Sequence, residues 1–327
     1  DTISRWSTED GSLLASRHFP VSPEGLNLVG DRLVETSVNG IRILRLPNLT
    51  FEQSSGRATA FAPDGILFAV SKSAAIEIWQ AGNPPSLFKS IETGGHYRFL
   101  FSPDSKLLAI DKTNGSVEIW DLDTGKVLQT FSIGTSRRIE QIAFTPDNTR
   151  LYAITRRSYE NPYNVDSLIG WKVTDGSSLP TRSVKCNVPI TISSDSKLLA
   201  YSDEQGSQHG RIRGCRITIY RIEGWLPIQT LDEVSLTQLS FSPDNTLLAT
   251  TSRSGGIRIW NVVDGKLLRT IVDNPFDNTL YTNVTLNSKA GHSPKGQFGI
   301  SLSFSPDGKY LLRTADGVAY LWGVPGQ

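Results

Sequence analysis

The sequence contains no methionine, only two cysteines and only four histidines in 327 residues. The cysteines form no CxxC pair, and His18, His96, His209 and His292 stand far apart. That spacing excludes a recognisable zinc site or an HExxH metal-binding helix. No GxSxG nucleophile elbow occurs. The Gly-Lys pairs at Gly125-Lys126, Gly265-Lys266 and Gly308-Lys309 are not followed by Ser or Thr, so no phosphate-binding loop is present. No run of about 20 apolar residues exists to span a bilayer as a helix. With 33 basic and 32 acidic residues the formal net charge is +1, which gives no bulk attraction for nucleic acid or an anionic membrane. The lack of methionine suits a thermophilic or an oxidising setting. Sustained helical periodicity is missing too, which leaves β structure as the way to bury a core.

What the sequence does have is a repeat. The signature Phe61-Ala62-Pro63-Asp64-Gly65 returns as Phe101-Ser102-Pro103-Asp104-Ser105 and as Phe144-Thr145-Pro146-Asp147-Asn148. It returns again as Ile192-Ser193-Ser194-Asp195-Ser196, Phe241-Ser242-Pro243-Asp244-Asn245 and Phe304-Ser305-Pro306-Asp307-Gly308. Pro presets one φ angle of a tight turn, and Asp caps that turn through the backbone. An apolar strand follows each turn, as in Leu107-Leu108-Ala109-Ile110. Next comes an alternating strand ending in an aromatic, such as Val117-Glu118-Ile119-Trp120 or Ile257-Arg258-Ile259-Trp260. A turn such as Asp123-Thr124-Gly125-Lys126 then leads into a last strand, Val127 to Phe131. Four short strands per repeat of roughly 40 residues is the pattern of a β-propeller.

On these motifs the chain resembles the WD40-repeat family over nearly its whole length, in a style similar to bacterial members. The family's Trp-Asp pair is kept once, at Trp120-Asp121. Elsewhere it reads Trp79-Gln80, Trp171-Lys172, Tyr220-Arg221, Trp260-Asn261 and Trp322-Gly323, and Gly95-His96 is the one surviving Gly-His pair. The family's buried His–Ser/Thr–Asp–Trp network is therefore not expected in most blades.

The expected fold is all-β, one seven-bladed propeller domain over residues 1–327 built from four-stranded antiparallel blades. Six full units fall at about 21–55, 56–92, 93–132, 133–185, 186–233 and 234–273. The seventh combines C-terminal strands at about 299–305, 309–315 and 317–323 with an N-terminal outer strand, Ser12 to Phe19, which closes the ring and removes its edges. Thr2 to Ser7 is left over as a displaced strand or the remnant of an eighth blade.

With strands ordered a to d, the b–c loops and d–a connections emerge on one face. Three insertions belong to these classes: Arg156 to Leu168, Glu204 to Gly214, and Asn274 to Phe298. Long loops in a compact domain are commonly functional. They carry Arg156, Arg157, Tyr159 and Tyr163, then His209, Arg211 and Arg213, then Tyr281, Lys289, His292 and Lys295. Tyr and Arg are enriched at binding hot spots, so this face is the expected site for a protein or peptide partner. An anionic glycan or nucleic-acid strand is the weaker alternative.

Cys186 and Cys215 sit at the same end of one blade, on strands about 10 Å apart at regular spacing. Either the long loop lets them bridge, which adds roughly 3 kcal/mol and points to an extracytoplasmic compartment, or they are two small buried hydrophobes. The alternative from another class is a propeller enzyme, a hydrolase or lyase, with its site at the mouth of the central channel, and it would need acid–base groups there. The inner strands offer Thr59, Arg98, Glu140, Thr191, Thr237 and Ser301, which make no such constellation. Asp121 to Gly125 lacks the downstream Glu of a calcium loop. The expectation is a monomeric, non-catalytic scaffold with no cofactor or metal.

Overall fold

Short β-branched stretches between Pro-Asp turns fold here into strands that pair with their chain neighbours, apart from one strand of the last sheet. A computed structural model describes the chain between Thr2 and Gly323 except residues 7–12, 19–24, 30–31, 38–39, 46–49, 56–57, 73, 81–85, 135–136, 158–165, 185–189, 205–214, 234–235, 253–255, 272–281, 285–300, 306–307, 309 and 316–317. It divides into two compact units, one of residues 1–136 with 284–299, the other of residues 137–283 with 300–327.

In the first unit, β1 (Thr2–Trp6) and β2 (Leu13–His18) form a two-stranded sheet. Three four-stranded sheets follow. The first joins β3 (Gly25–Val29), β4 (Arg32–Ser37), β5 (Gly40–Arg45) and β6 (Thr50–Ser55). The second joins β7 (Ala58–Phe61), β8 (Leu67–Ser71), β9 (Ala75–Gln80) and β10 (Ser86–Glu92). The third joins β11 (His96–Phe101), β12 (Leu107–Lys112), β13 (Ser116–Asp121) and β14 (Lys126–Ser132).

The second unit opens with a fourth sheet, β15 (Arg137–Phe144), β16 (Arg150–Arg157), β17 (Asp166–Lys172) and β18 (Arg182–Val184). The fifth is β19 (Thr191–Ile192), β20 (Leu198–Glu204), β21 (Cys215–Arg221) and β22 (Leu226–Glu233). The sixth is β23 (Leu236–Phe241), β24 (Leu247–Ser252), β25 (Ile257–Asn261) and β26 (Leu267–Ile271). The last contains β27 (Thr282–Val284), β28 (Ser301–Phe304), β29 (Tyr310–Ala315) and β30 (Val318–Gly323), ordered β27-β30-β29-β28. The consecutive pairings are antiparallel throughout.

Two expectations are corrected. The N-terminal strand does not complete the last sheet: β2 pairs with β1, from Thr2↔His18 to Trp6↔Leu13. A local hairpin closes a far shorter loop than a pairing across the length of the chain, so it costs less entropy. The outer strand of the last sheet is β27, drawn from the segment expected to be a plain d–a loop.

The core lies between the faces of successive sheets. Ile76, Ile78 and Ile91 of the second sheet bury against Phe101, Leu108 and Ile110 of the third. Ile217, Ile219 and Leu231 of the fifth sheet cluster with Leu239, Leu248 and Trp260 of the sixth. Second strands are buried on both faces, as in β12, and this explains their unbroken apolar runs.

The Pro-Asp turns do two jobs. Within a turn, the Ser102 hydroxyl donates to Asp104 at 2.6 Å and accepts the Leu107 N–H at 2.8 Å. Thr145 with Asp147, and Ser193 with Asp195, repeat the clasp. Burial alone would raise the Asp147 carboxyl. The Thr145 hydroxyl, the Thr149 amide and hydroxyl, and Arg150 outweigh it and leave the group below the usual range. Between turns, the residue after Asp reaches the neighbouring sheet. The Asp64 N–H donates to Ser105 Oγ (3.1 Å) and the Asp147 N–H to Ser196 Oγ (2.9 Å). The Ser194 N–H donates to Asn245 Oδ1 (2.8 Å), and the Ser194 hydroxyl donates to the Pro243 carbonyl (2.6 Å).

Ser105, Ser196 and Asn245 all sit at φ near +60°, a region that disfavours side chains. The cross-turn bond offsets that strain. Asn245→Ala loses the bond and keeps the strain, so it should cost about 1–2 kcal/mol. Asn245→Gly loses the bond but relieves the strain, and should cost about half as much. Urea midpoints for the two variants test this; equal losses would discount the strain.

The fourth strands of the first, second, third, fifth and sixth sheets carry a bulge, and β18 pairs without one. Phe88, Leu128, Ile228 and Leu268 are each skipped in the pairing with the third strand. The extra residue turns neighbouring side chains outward together, so Leu87 with Phe88 and Leu267 with Leu268 are all exposed.

Candidate functional site

In the second unit the a–b turns of the fourth, fifth and sixth sheets are bonded to one another. Those turns therefore share one side. β16, β20 and β24 run away from it, and β16 is eight residues long, about 26 Å at the usual rise. Their ends, Arg157, Glu204 and Ser252, lie on the opposite side with the starts of β17, β21 and β25. The end of β26 joins them, because Ile257 pairs with Ile271. The segments 158–165, 205–214 and 272–281 thus depart from the same side of this unit.

The structure moves the loop boundaries. Arg156 and Arg157 are the last two residues of β16, opposite Arg138 and Arg137, and Asp166 to Leu168 belong to β17. These stretches extend as strands because their ladder partners on β15 and β18 are available. Glu204 ends β20, and Cys215 begins β21 opposite Glu204 and Glu233. Tyr159, Tyr163, His209, Arg211, Arg213, Tyr281, Lys289, His292, Lys295 and Cys186 lie outside the described residues.

The six inner-strand residues are where the repeat placed them, on first strands. Thr59, Glu140 and Thr237 occupy bulges, and Arg98 lies opposite Asp111. Among the described residues no group of three or more His, Cys, Asp or Glu is arranged to hold a metal ion.

His96 ties the second sheet to the third. The Thr93 hydroxyl donates to the Ala74 carbonyl at 2.9 Å, so it accepts from His96 Nδ1 at 3.0 Å. The neutral ring then carries its proton on Nδ1, and Nε2 accepts from the Ser71 hydroxyl at 2.8 Å. Burial, then Lys112, lower the His96 pKa and favour that neutral form.

The tryptophans have found other partners than the family network. Trp79 and Trp120 donate to Glu77 and Glu118, two residues back on their own strands, at 3.2 and 2.9 Å. Lys72 and Lys112 pair with those carboxylates at 3.5 and 3.4 Å. Trp260 keeps one leg of the older arrangement, donating to Thr250 Oγ1 at 3.1 Å. The signal for the first two was in the sequence, as a Glu two places before the aromatic.

A larger aromatic cluster joins the fourth and fifth sheets. Tyr152 meets Trp225 edge-on at 5.7 Å between ring centroids, and Arg182 lies over the Trp225 ring at 5.9 Å. Tyr201 stacks on Tyr220 at 5.2 Å. Burial pushes the Tyr152 phenol up to about 12.

These sheets, turns and inter-sheet cores define a β-propeller of the WD40 type. The WD domain, G-beta repeat, matches residues 225–261 and 284–323. Subunit I of eukaryotic translation initiation factor 3 from Pyricularia oryzae is 24% identical over 236 residues, 68% of this chain and 66% of that protein. COMPASS component SWD3 from Saccharomyces cerevisiae is 24% identical over 285 residues, 81% of this chain and 85% of that one. Human apoptotic protease-activating factor 1 is 25% identical over 250 residues, 68% of this chain but 19% of that longer protein. A chain of the Kuenenia stuttgartiensis hydrazine synthase structure superposes with a TM-score of 0.63 at 12% identity, covering 95% of this chain and 98% of that chain, a likeness of fold alone. WD40 repeats are thus matched over these two stretches of the chain, and the relatives are similar to it over 68–81% of its length.

Proposed function

We propose that the chain is a non-catalytic protein-interaction scaffold, and that its partner docks on the side of the second unit from which 158–165, 205–214 and 272–281 depart. One observation carries this reading. The a–b side is closed by short, mutually bonded turns, whereas the long departures from the repeat all begin on the other side. Long segments held on a rigid scaffold are a common place for recognition, and the scaffold limits the ordering cost of binding. The names of two relatives, an initiation-factor subunit and a COMPASS component, are those of members of larger assemblies.

The test is an affinity capture from an extract of the source organism. It compares the intact protein with a variant in which 158–165 and 205–214 are shortened to tight turns. The expected result is a protein recovered by the first and absent from the second, with thermal midpoints that agree. Equal recovery overturns the assignment of the face, and recovery of nothing by either overturns the scaffold reading.

A further inference from the structure

We propose that Asn114 is a site of spontaneous deamidation in the folded chain, and that Ser116 supplies the hydrogen-bond donors that promote it. Water and hydroxide are the only co-reactants the conversion requires.

Asn114 and Gly115 lie in the tight turn between β12 and β13, and Ser116 opens β13. Asn114 is exposed, and Gly115 sits at φ +80° with no side chain to crowd its nitrogen. The Ser116 N–H donates to Asn114 Oδ1 at 3.1 Å, and the Ser116 hydroxyl donates to the same oxygen at 2.7 Å. A backbone N–H can only donate, so it fixes which end of the side-chain amide is the oxygen. Two donors thus polarise the Asn114 side-chain carbonyl and stand ready for negative charge on its oxygen. The Gly115 N–H donates to the Lys112 carbonyl at 3.2 Å. That bond has to open before the nitrogen can react, and local opening is least costly at an exposed hairpin tip.

Hydroxide takes the Gly115 amide proton, and the nitrogen attacks Asn114 Cγ to close a small ring. The electron pair of the Cγ=O bond moves onto Oδ1, where the two Ser116 donors hold it. It returns as the Cγ–Nδ2 bond breaks, and Nδ2 leaves as ammonia with a proton from water, which restores the hydroxide. One water then opens the succinimide at either carbonyl. The product is aspartate, or isoaspartate when the main chain is rerouted through Cβ. Each conversion adds one negative charge to a chain of formal net charge +1. Isoaspartate also lengthens the main chain at a turn whose Gly115 carbonyl accepts the Ile133 N–H at 3.0 Å.

Other asparagines lack one part or another. Asn261 also accepts two donors on Oδ1, the Val263 N–H at 2.8 Å and the Asp264 N–H at 3.1 Å. The next residue is Val262, whose branched side chain crowds the nitrogen and whose N–H is held by the Thr246 carbonyl at 2.9 Å. Asn148 and Asn245 are each followed by a threonine. Asn39, of the second Asn-Gly pair in the sequence, lies outside the described residues.

The experiment is incubation of the full chain in mildly alkaline, heavy-oxygen water, followed over weeks by peptide mass mapping. Asn114 should take up heavy oxygen and give aspartate and isoaspartate together, roughly tenfold or more faster than Asn148, Asn245 or Asn261. Ser116→Ala, which removes the hydroxyl donor, should slow the folded chain about threefold or more, less than a donor contributes in a dry site. Ser116→Thr keeps the hydroxyl and should restore the parent rate. In urea the rates of parent and Ser116→Ala should coincide, because the turn no longer holds the donor in place. No conversion at Asn114, equal conversion at Asn261, or equal rates in the folded parent and Ser116→Ala would each overturn the proposal. A variant slowed as much in urea as in buffer would overturn it too, since the effect would then belong to the local sequence and not to the folded turn.

Discussion

Leu108→Ala should destabilise the chain by about 2–5 kcal/mol, the range for deleting a buried leucine side chain. Leu108 sits in the second strand of the third sheet with no exposed surface, and it packs in the cluster with Ile76, Ile78 and Ile91 of the sheet before it. It pairs with Phe101 on one side and Trp120 on the other. The void therefore opens between two sheets whose backbones are held by ladders on both edges, and little collapse can fill it. Chemical denaturation of parent and variant measures the loss. A change within about 0.5 kcal/mol, the size of an ordinary surface substitution, would mean that the sheets close over the gap.

Gly170→Ala should cost about 1–3 kcal/mol or more, by overpacking and not by lost contact. A Cβ at this position would lie 2.6 Å from Cδ1 and Cε1 of Tyr152 and 3.2 Å from Leu179 Cδ1. The Tyr152 ring is fully buried and held edge-on against Trp225, so it cannot swing clear. Combining Gly170→Ala with Tyr152→Leu removes the clashing ring atoms. The double variant should lose less than the sum of the two singles. Strict additivity in thermal or urea midpoints would show that the glycine serves the backbone and not the ring.

Much of this architecture was legible because turn chemistry is local. Pro-Asp with a following Gly, Ser or Asn marks a turn wherever it occurs, and strands had to lie on either side. What escaped was decided by partners distant in the chain. Whether Leu13 to His18 pairs with Thr2 to Trp6 or with the C-terminal strands depends on competition between edges, and neither strand advertises its choice. Thr282 to Val284 is too short for its alternation to stand out inside a polar segment. Arg156 and Arg157 read as the start of a loop because two adjacent charges look like solvent-facing chain, yet ladder partners on β15 extend the strand through them. Ser105, Ser196 and Asn245 stand where two of the other repeats carry glycine, at Gly65 and Gly308. Their use, as acceptors for the turn of the neighbouring sheet, requires knowing which turns are adjacent.

The bulges on the fourth strands bear on strand-to-strand association between copies of the chain. An outer strand with bare N–H and C=O groups and outward Leu and Phe side chains is a template for edge-to-edge aggregation. Phe88, Leu128, Ile228 and Leu268 each add one residue that breaks the even spacing of that edge. A foreign strand laid along it would match the hydrogen-bonding groups on one side of the bulge and miss them on the other. The same irregularity that pushes apolar side chains into solvent thus denies them the regular backbone on which fibrils grow, and crowding of the chain need not lead to polymerisation through these edges.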